Sequence, residues 1–319
     1  MQFLKSLHSK NISLKYLFIR RELATIFNGH QLANKIKREV KEEILLNQSF
    51  KSSFSPQFVA IAVGHNPASK IYLEKKQEVA EECGLKGQVI HLSEDTFESK
   101  ILGLIHDLNE DPSIHGIIVQ LPLPLHLSEI QICNAVHPSK DVDGFTQTNL
   151  GKLMQKTTES TILPCTALAV KRIVEELKMI TLGKNAVVIG RSHNVGLPIS
   201  IILGADMTKG GFDMTTVSCH RATPTHQLTR ACLGADLIVS AAGVPGLVNK
   251  YLIKPGSILI DVGLNRIRTA AGKNIVVGDM TKDVNEVAGV VTPVPGGVGP
   301  CTVACLMYNT LLAAKLQNL

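Results

Sequence analysis

The sequence predicts an α/β protein of two domains, and three observations carry that prediction. At 319 residues the chain is long for a single core. Short β-rich runs alternate with helical patterns on both sides of about residue 165, the signature of parallel sheets with covered faces. A loop dense in proline and glycine, Thr292 to Pro300, precedes a last apolar helix.

The elements follow in order. From Gly29 to about Leu46, Leu32, Ile36, Val40 and Ile44 form one apolar stripe at intervals of four, so this segment is an amphipathic helix. Strand-like runs at Phe58–Val63, Gln88–Leu92 and Ile114–Leu121 are separated by helical patterns near Ser69–Cys83 and Ser99–Leu108. The second half repeats the alternation with β-rich runs at Ala186–Ile189, Thr215–Cys219, Leu237–Ala241 and Ser257–Val262. Gly190 opens a turn after the first of these, and a helix begins near Val195 and Gly196. This half therefore reads as a Rossmann-like domain. The expected boundaries are 25–165 for a first α/β domain, 166–297 for the Rossmann-like domain, and 298–319 for a helix returning to the first. In that arrangement the Pro-Gly loop crosses the cleft. Its prolines fix the backbone and its glycines let a ligand approach closely, so it is built to touch something.

Composition removes several classes of function. Nearly half the residues are apolar, and neither a repeat nor a low-complexity tract is visible. The long uncharged interval from Val287 to Ala314 is interrupted by Pro293, Pro295 and Pro300. It leaves roughly fourteen helical residues against the ~20 of a membrane span, so no span is expected. Of the net charge of +6, five charges come from Lys5, Lys10, Lys15, Arg20 and Arg21, all before the first acid, Glu22. The remainder is close to neutral, and a nucleic-acid partner need not be invoked. Residues 1–24, basic and free of acid until Glu22, with leucines placed for an amphipathic helix, read as a mitochondrial targeting segment; a plain basic tail is the alternative. Seven cysteines without paired spacing argue for buried thiols in a reducing compartment, against disulfides and structural zinc.

Two segments carry chemistry of their own. Tyr72 and Lys76 in SKIYLEKK face the same way on a helix, and a phenol beside an amine is useful for proton transfer; Lys75 is also near Tyr72. The turn Gly190-x-Ser192-x-x-x-Gly196 departs from the GxGxxG fingerprint but retains its physics. A glycine turn and free amides at a helix start suit an anionic group, with Arg191 and Ser192 beside them.

SKIYLEKK (69–76), GIIVQLPLP (116–124), KDVDGF (140–145), VVIGRSHNVGLP (187–198) and PVPGGVGP (293–300) occur here in one order. In that order they resemble the methylenetetrahydrofolate dehydrogenase/cyclohydrolase family, over about Ile26 to Ala314. Details at Asp213 and Arg221 look most like its mitochondrial NAD-dependent branch. The resemblance implies oxidation of 5,10-methylenetetrahydrofolate to the methenyl form with NAD, then hydrolysis to 10-formyltetrahydrofolate, by a homodimer in the mitochondrial matrix. It implies that Tyr72 stacks on the folate ring system, Lys76 is catalytic, Gln120 tunes it, and Asp143 accepts from the pterin's amino edge. Pro295, Gly299 and Thr302 are implied folate contacts, while Asp141 reads as a structural residue that fixes its loop.

On the cofactor side the implied contacts are Thr166, Gly190, Arg191, Ser192, His220, Arg221, Ala241, Ala242 and Gly243. Arg191 and Arg221 are expected to hold inorganic phosphate and Asp213 to help hold magnesium, which together permit NAD to be used. Alternatively, Arg221 is a surface residue paired with Asp213. A shikimate-type dehydrogenase shares the domain order but is not expected to carry VQLPLP with KDVDG. A degenerate folate-binding subunit would have lost Tyr72, Lys76 or Gln120, and all three are present.

Overall fold

The computed structural model describes residues 23–65, 67–155, 161–269 and 272–317. The expected targeting segment therefore lies almost wholly outside the described residues.

In chain order the elements are β1 (Thr25–Ile26), α1 (Gly29–Phe50), β2 (Gln57–Val63), α2 (Pro67–Cys83), β3 (Lys86–Leu92), α3 (Glu98–Glu110), β4 (Gly116–Val119), α4 (Glu129–Ala135) and α5 (Gln147–Gln155). The second half continues with α6 (Cys165–Glu176), β5 (Asn185–Ile189), α7 (Gly196–Gly204), β6 (Thr215–Cys219), α8 (Thr225–Gly234), β7 (Leu237–Ser240) and β8 (Ile258–Asp261). Then come β9 (Asn265–Arg268), β10 (Asn274–Val277), β11 (Val290–Val291) and α9 (Val298–Gln317).

The predicted α/β class holds. The first half builds a three-stranded parallel sheet, β3-β2-β4, and the second a six-stranded parallel sheet, β1-β11-β8-β7-β5-β6. The α1 stripe is buried as expected: Leu32, Ile36, Val40 and Ile44 are all 2 % exposed or less, and Asn28 caps the helix by accepting from the Gln31 amide at 3.1 Å.

Two features depart from the expected layout. Thr25–Ile26, placed with the first domain, pairs with β11 and so becomes the edge strand of the second sheet. Two residues are too few to show a period, and the strand is held by backbone bonds to Asn285, Gly289 and Val291. The antiparallel hairpin β9–β10 was also not foreseen; its mixture of arginine, asparagine and isoleucine has no clear apolar face.

The last helix returns to the first half as predicted, packing on α1, α2, β2 and β4, and it also packs on α6. It is buried nearly all round. A single core runs from Ile36 and Phe58 through Val170 and Leu306 to Val188, so α6 and α9 join the two sheets through close-packed contacts. The cleft between the sheets is therefore built on a rigid frame.

Candidate active site

Helix α2 presents Tyr72 and Lys76 on one face. Lys76 is only 6 % exposed; its Nζ donates to Gln120 Oε1 at 3.1 Å and lies 5.4 Å from the centroid of the Tyr72 ring. Gln120 follows β4, with its backbone amide on Ile61 O at 2.9 Å and its Nε2 on Leu121 O at 2.8 Å. Both of its side-chain ends are thus committed, and the oxygen is aimed at the lysine. Lys75 points to solvent and pairs with Glu78 at 2.7 Å. Geometry separates two lysines that spacing alone left level.

In KDVDG the two acids divide their work. Asp141, 3 % exposed, accepts from the amides of Gly144, Phe145 and Thr146 and from Asn149 Nδ2, all within 3.1 Å, which fixes the loop as expected. Asp143 faces a cavity of about 230 Å³ together with Tyr72, Lys76, Gln120, Thr166, Asn194 and Thr302. Burial pushes its carboxyl up to about 6, against the pull of the nearby Lys76 ammonium. Burial also raises the Tyr72 phenol far above its ordinary value, so it stays protonated.

A second cavity of about 260 Å³ adjoins the first and shares Tyr72, Thr166 and Thr302 with it. Its wall is the backbone from Pro293 to Pro300, facing His30 and the segment Asp261–Leu264. Thr302 therefore touches both cavities. Pro295 and Gly299, expected beside the folate, line only the second, because the loop passes over the side nearer β8. A larger cavity of about 330 Å³ lies behind α6 and α9 and holds none of the predicted residues. Its cations are already neutralised, Lys171 by Glu175 at 2.6 Å and Arg172 by Glu39.

The cofactor residues emerge at one edge of the large sheet. Register pairs Ile189 with Cys219 and with Ser240, so Gly190, Arg191 and Ser192, then His220 and Arg221, then Ala241, Ala242 and Gly243 leave three adjacent strands side by side. This is the carboxyl edge on which doubly wound sheets bind ligands. Gly190 has φ +119°, and a Cβ there would sit 2.3 Å from Ala241 O; one on Gly196 would sit 2.1 Å from Gly190 O. The turn leaves no room for a side chain at either glycine, although its spacing departs from GxGxxG. Such a cradle fits a dinucleotide.

Asp213 is not part of this group. It precedes β6 and lies beyond the carboxyl end of α7, with its amide on Ala205 O at 2.9 Å, whereas Arg221 follows β6. A five-residue strand separates them, on the order of 15 Å at ~3.3 Å per residue. The two do not form an ion pair, and Asp213 cannot share a phosphate site with Arg191 and Arg221 within one chain. Among the described residues there is also no group of three or more His, Cys, Asp or Glu side chains able to hold a metal.

Sequence reasoning also missed two buried acids at the base of the cleft. Asp279 accepts from the loop after β7, and Asp261 accepts from the amides of Gly263, Asp279 and Met280 at 2.9–3.0 Å. The Asp261 amide in turn donates to Thr292 Oγ1 at 2.8 Å, tying the Pro-Gly loop to the sheet. Burial lifts the Asp261 carboxyl to about 6.

Comparison with known proteins agrees with this layout. The tetrahydrofolate dehydrogenase/cyclohydrolase catalytic-domain model matches residues 27–143, and the family's NAD(P)-binding-domain model matches residues 164–318. The chain belongs to the tetrahydrofolate dehydrogenase/cyclohydrolase family. It is 45 % identical over 300 residues to the mitochondrial bifunctional methylenetetrahydrofolate dehydrogenase/cyclohydrolase of Drosophila melanogaster, covering 92 % of this chain and 96 % of that one. A 5,10-methylenetetrahydrofolate dehydrogenase from the silkworm Bombyx mori superposes with a TM-score of 0.87 at 42 % identity, covering 93 % of this chain and 99 % of the other. The Trypanosoma brucei methylenetetrahydrofolate dehydrogenase-cyclohydrolase, solved with NADP and an inhibitor, gives 0.84 at 33 % identity, with 92 % and 98 % covered.

As a family member the chain is a bifunctional methylenetetrahydrofolate dehydrogenase and cyclohydrolase, acting on folate derivatives with a nicotinamide dinucleotide. Among the described residues no helix is long and apolar enough to cross a membrane.

Proposed function

We propose that this enzyme uses NAD, works in mitochondria as a homodimer, and carries out both reactions in the cavity that holds Lys76, Gln120 and Asp143. The first domain, up to residue 165, together with the last helix forms the folate side, and residues 166–297, joined by the edge strand β1, form the cofactor side. The observation that carries the reading is the Lys76–Gln120 hydrogen bond inside a cavity to which both halves contribute.

The pterin lies against the Tyr72 ring, and Asp143 accepts from its amino edge. The bound dinucleotide supplies the hydride acceptor. Positioning does most of the oxidation step, because the folate nitrogens stabilise the developing cation. In hydrolysis, water adds to the methenyl carbon, Lys76 Nζ relays the water's proton to N5 as the bond between that carbon and N5 breaks to leave the 10-formyl group, and Gln120 Oε1 holds the lysine in reach.

For the cofactor, Arg191 and Arg221 leave adjacent strands, both exposed, and neither is held in an ion pair among the described residues. Inorganic phosphate between them would neutralise two like charges through charge-assisted hydrogen bonds, leaving room for the free ribose hydroxyl of NAD. NADP would bring its own 2'-phosphate to the same pair, so added phosphate should compete with NADP and assist NAD. Dehydrogenase rates with each dinucleotide, in phosphate-depleted and phosphate-supplemented buffer, test this. Phosphate stimulation of the NAD reaction is expected, lost in Arg221→Ala and retained in Asp213→Asn. Full NAD activity without phosphate would remove the bridging role.

Asp143 should give the folate affinity a pH dependence. Its carboxyl is raised from 3.8 to about 6, so the stability contributed by its buried neutral form is present at low pH and lost as pH rises through about 6. The ionised form is the one that accepts from the pterin. The folate KM is therefore expected to fall as pH rises through about 6, and Asp143→Asn to flatten that limb and raise KM. An unchanged profile in the variant would take Asp143 out of the site.

The mitochondrial assignment is supported by the basic start of the chain and by the mitochondrial relatives. Residues 1–29 fused ahead of a fluorescent protein are expected to carry it into mitochondria, and uniform cytosolic fluorescence would refute that placement.

A further inference from the structure

In the sequence the loop after β7, Ala241 to Val244, is a run of small residues that includes three implied cofactor contacts, a surface on which a nicotinamide or its ribose could lie. In the structure every one of its amides is already used. Ala241 N donates to Ile189 O at 2.7 Å. Ala242 N and Gly243 N donate to Asp279 Oδ2 at 2.8 and 3.2 Å, and Val244 N donates to Asp279 Oδ1 at 2.9 Å. The same fully buried carboxylate also accepts from Ser240 Oγ and Asn265 Nδ2, each at 2.9 Å. Gly263 lets the strand ends close around it, since a Cβ there would lie 2.2 Å from Asp279 Oδ1.

A surface whose amides are spent can offer a ligand only carbonyl oxygens and Cα–H groups. Small residues at a strand end would otherwise read as a phosphate cradle, but here no N–H is left to hold an anion. The end of β5 beside it carries Arg191 and the end of β6 beyond carries Arg221, both suited to anions, so the carboxyl edge is divided by charge.

Resting on the cofactor assignment above, we infer that Asp279 is the positioning residue for the nicotinamide end of the dinucleotide. By drawing three successive amides downward it leaves a rigid acceptor floor. That floor matches the carboxamide N–H₂ and ribose hydroxyls and turns phosphate away. Asp279 touches no substrate atom in this role; it acts through the loop.

The test compares Asp279→Asn with wild type in the full chain. Asparagine keeps the volume but replaces one acceptor oxygen with a donor facing the loop amides. Cyclohydrolysis needs no dinucleotide, so it reports on the fold and the folate cavity independently. Dehydrogenase kcat/KM for the dinucleotide is expected to fall ~30-fold or more, with cyclohydrolase kcat/KM and the folate KM within ~3-fold of wild type. The probe for the floor is 3-acetylpyridine adenine dinucleotide, which carries a methyl ketone in place of the donor carboxamide. Wild type is expected to prefer the carboxamide, and the variant to narrow that preference by ~5-fold or more.

Should Asp279→Asn fail to fold, Ser240→Ala removes one of the five donors. It is expected to raise the dinucleotide KM ~3-fold and narrow the same preference, at unchanged folate KM. Parallel loss of both activities, or an unaltered carboxamide preference, would overturn the inference. A wild-type protein that reduces no dinucleotide with methylenetetrahydrofolate would overturn the cofactor reading first, and this inference with it.

Discussion

Lys76→Met is expected to abolish cyclohydrolase turnover, lowering kcat by at least ~100-fold, the lower range of what one positioned acid–base group contributes. The effect should be this large because Lys76 is the cation inside the folate cavity, held on Gln120 at 3.1 Å and over the Tyr72 ring. Methionine nearly matches the length of the stem, so the packing of α2 should survive. The folding midpoint is expected to change little, since the substitution removes a hydrogen bond and also a buried charge. Dehydrogenation should fall less, because that step depends mainly on how the two ligands are placed. Lys75→Met is the matched control. Its lysine is exposed and paired with Glu78, a surface contact of small worth, and both activities should stay near wild type. Near-wild-type hydrolysis of methenyltetrahydrofolate by Lys76→Met would move proton transfer to another group.

Gly190→Ala is expected to have the second largest effect and the opposite selectivity. At φ +119° an L-residue is strained wherever it sits, and here the added Cβ would also meet Ala241 O at 2.3 Å. The turn must open to admit it. Opening displaces Arg191 and Ser192 from the start of α7 and pushes on the loop after β7. Dehydrogenase kcat/KM for the dinucleotide should fall by ~100-fold or more, while cyclohydrolysis, whose groups lie on α2 and after β4, stays within ~3-fold. Steady-state assays of both activities on one preparation, with thermal unfolding alongside, check it. An unchanged dinucleotide KM would mean that this turn does not hold the cofactor.

The readable parts of this protein are those whose signal is local and periodic. The α1 stripe, the three strands of the first sheet, β5 to β8 of the second and the helix after the Pro-Gly loop all declare themselves through their apolar residues. Tyr72 and Lys76 are legible because four residues on a helix bring two side chains together. What spacing cannot decide is which of two adjacent lysines turns inward, since that depends on where β4 delivers Gln120. Asp213 stands apart from Arg221 for a related reason. It stands eight positions before Arg221, but a strand fills the interval, so neighbours in sequence become opposite ends of a sheet.

The buried acids carried a signal that went unread. Asp261 is followed two positions later by Gly263, and Asp279 follows Gly278. Each glycine's missing Cβ makes way for the other acid's carboxylate, at 2.2 Å for Gly263 on Asp279 and 1.9 Å for Gly278 on Asp261. In both places an acid close to a glycine at or near a strand end collects backbone amides. The β1 strand had no comparable signal, because its two residues are defined only by the partner they find.

Dideuterated methylenetetrahydrofolate, given to the full chain with NAD and phosphate and followed by mass spectrometry of both products, tests the sequence of oxidation and hydrolysis most directly. One deuterium is expected in the reduced nicotinamide and one in the formyl group of 10-formyltetrahydrofolate, in equal amounts as turnover proceeds. Unlabelled reduced cofactor, or labelled methenyltetrahydrofolate that accumulates without being hydrolysed beyond the solvent rate, would contradict it.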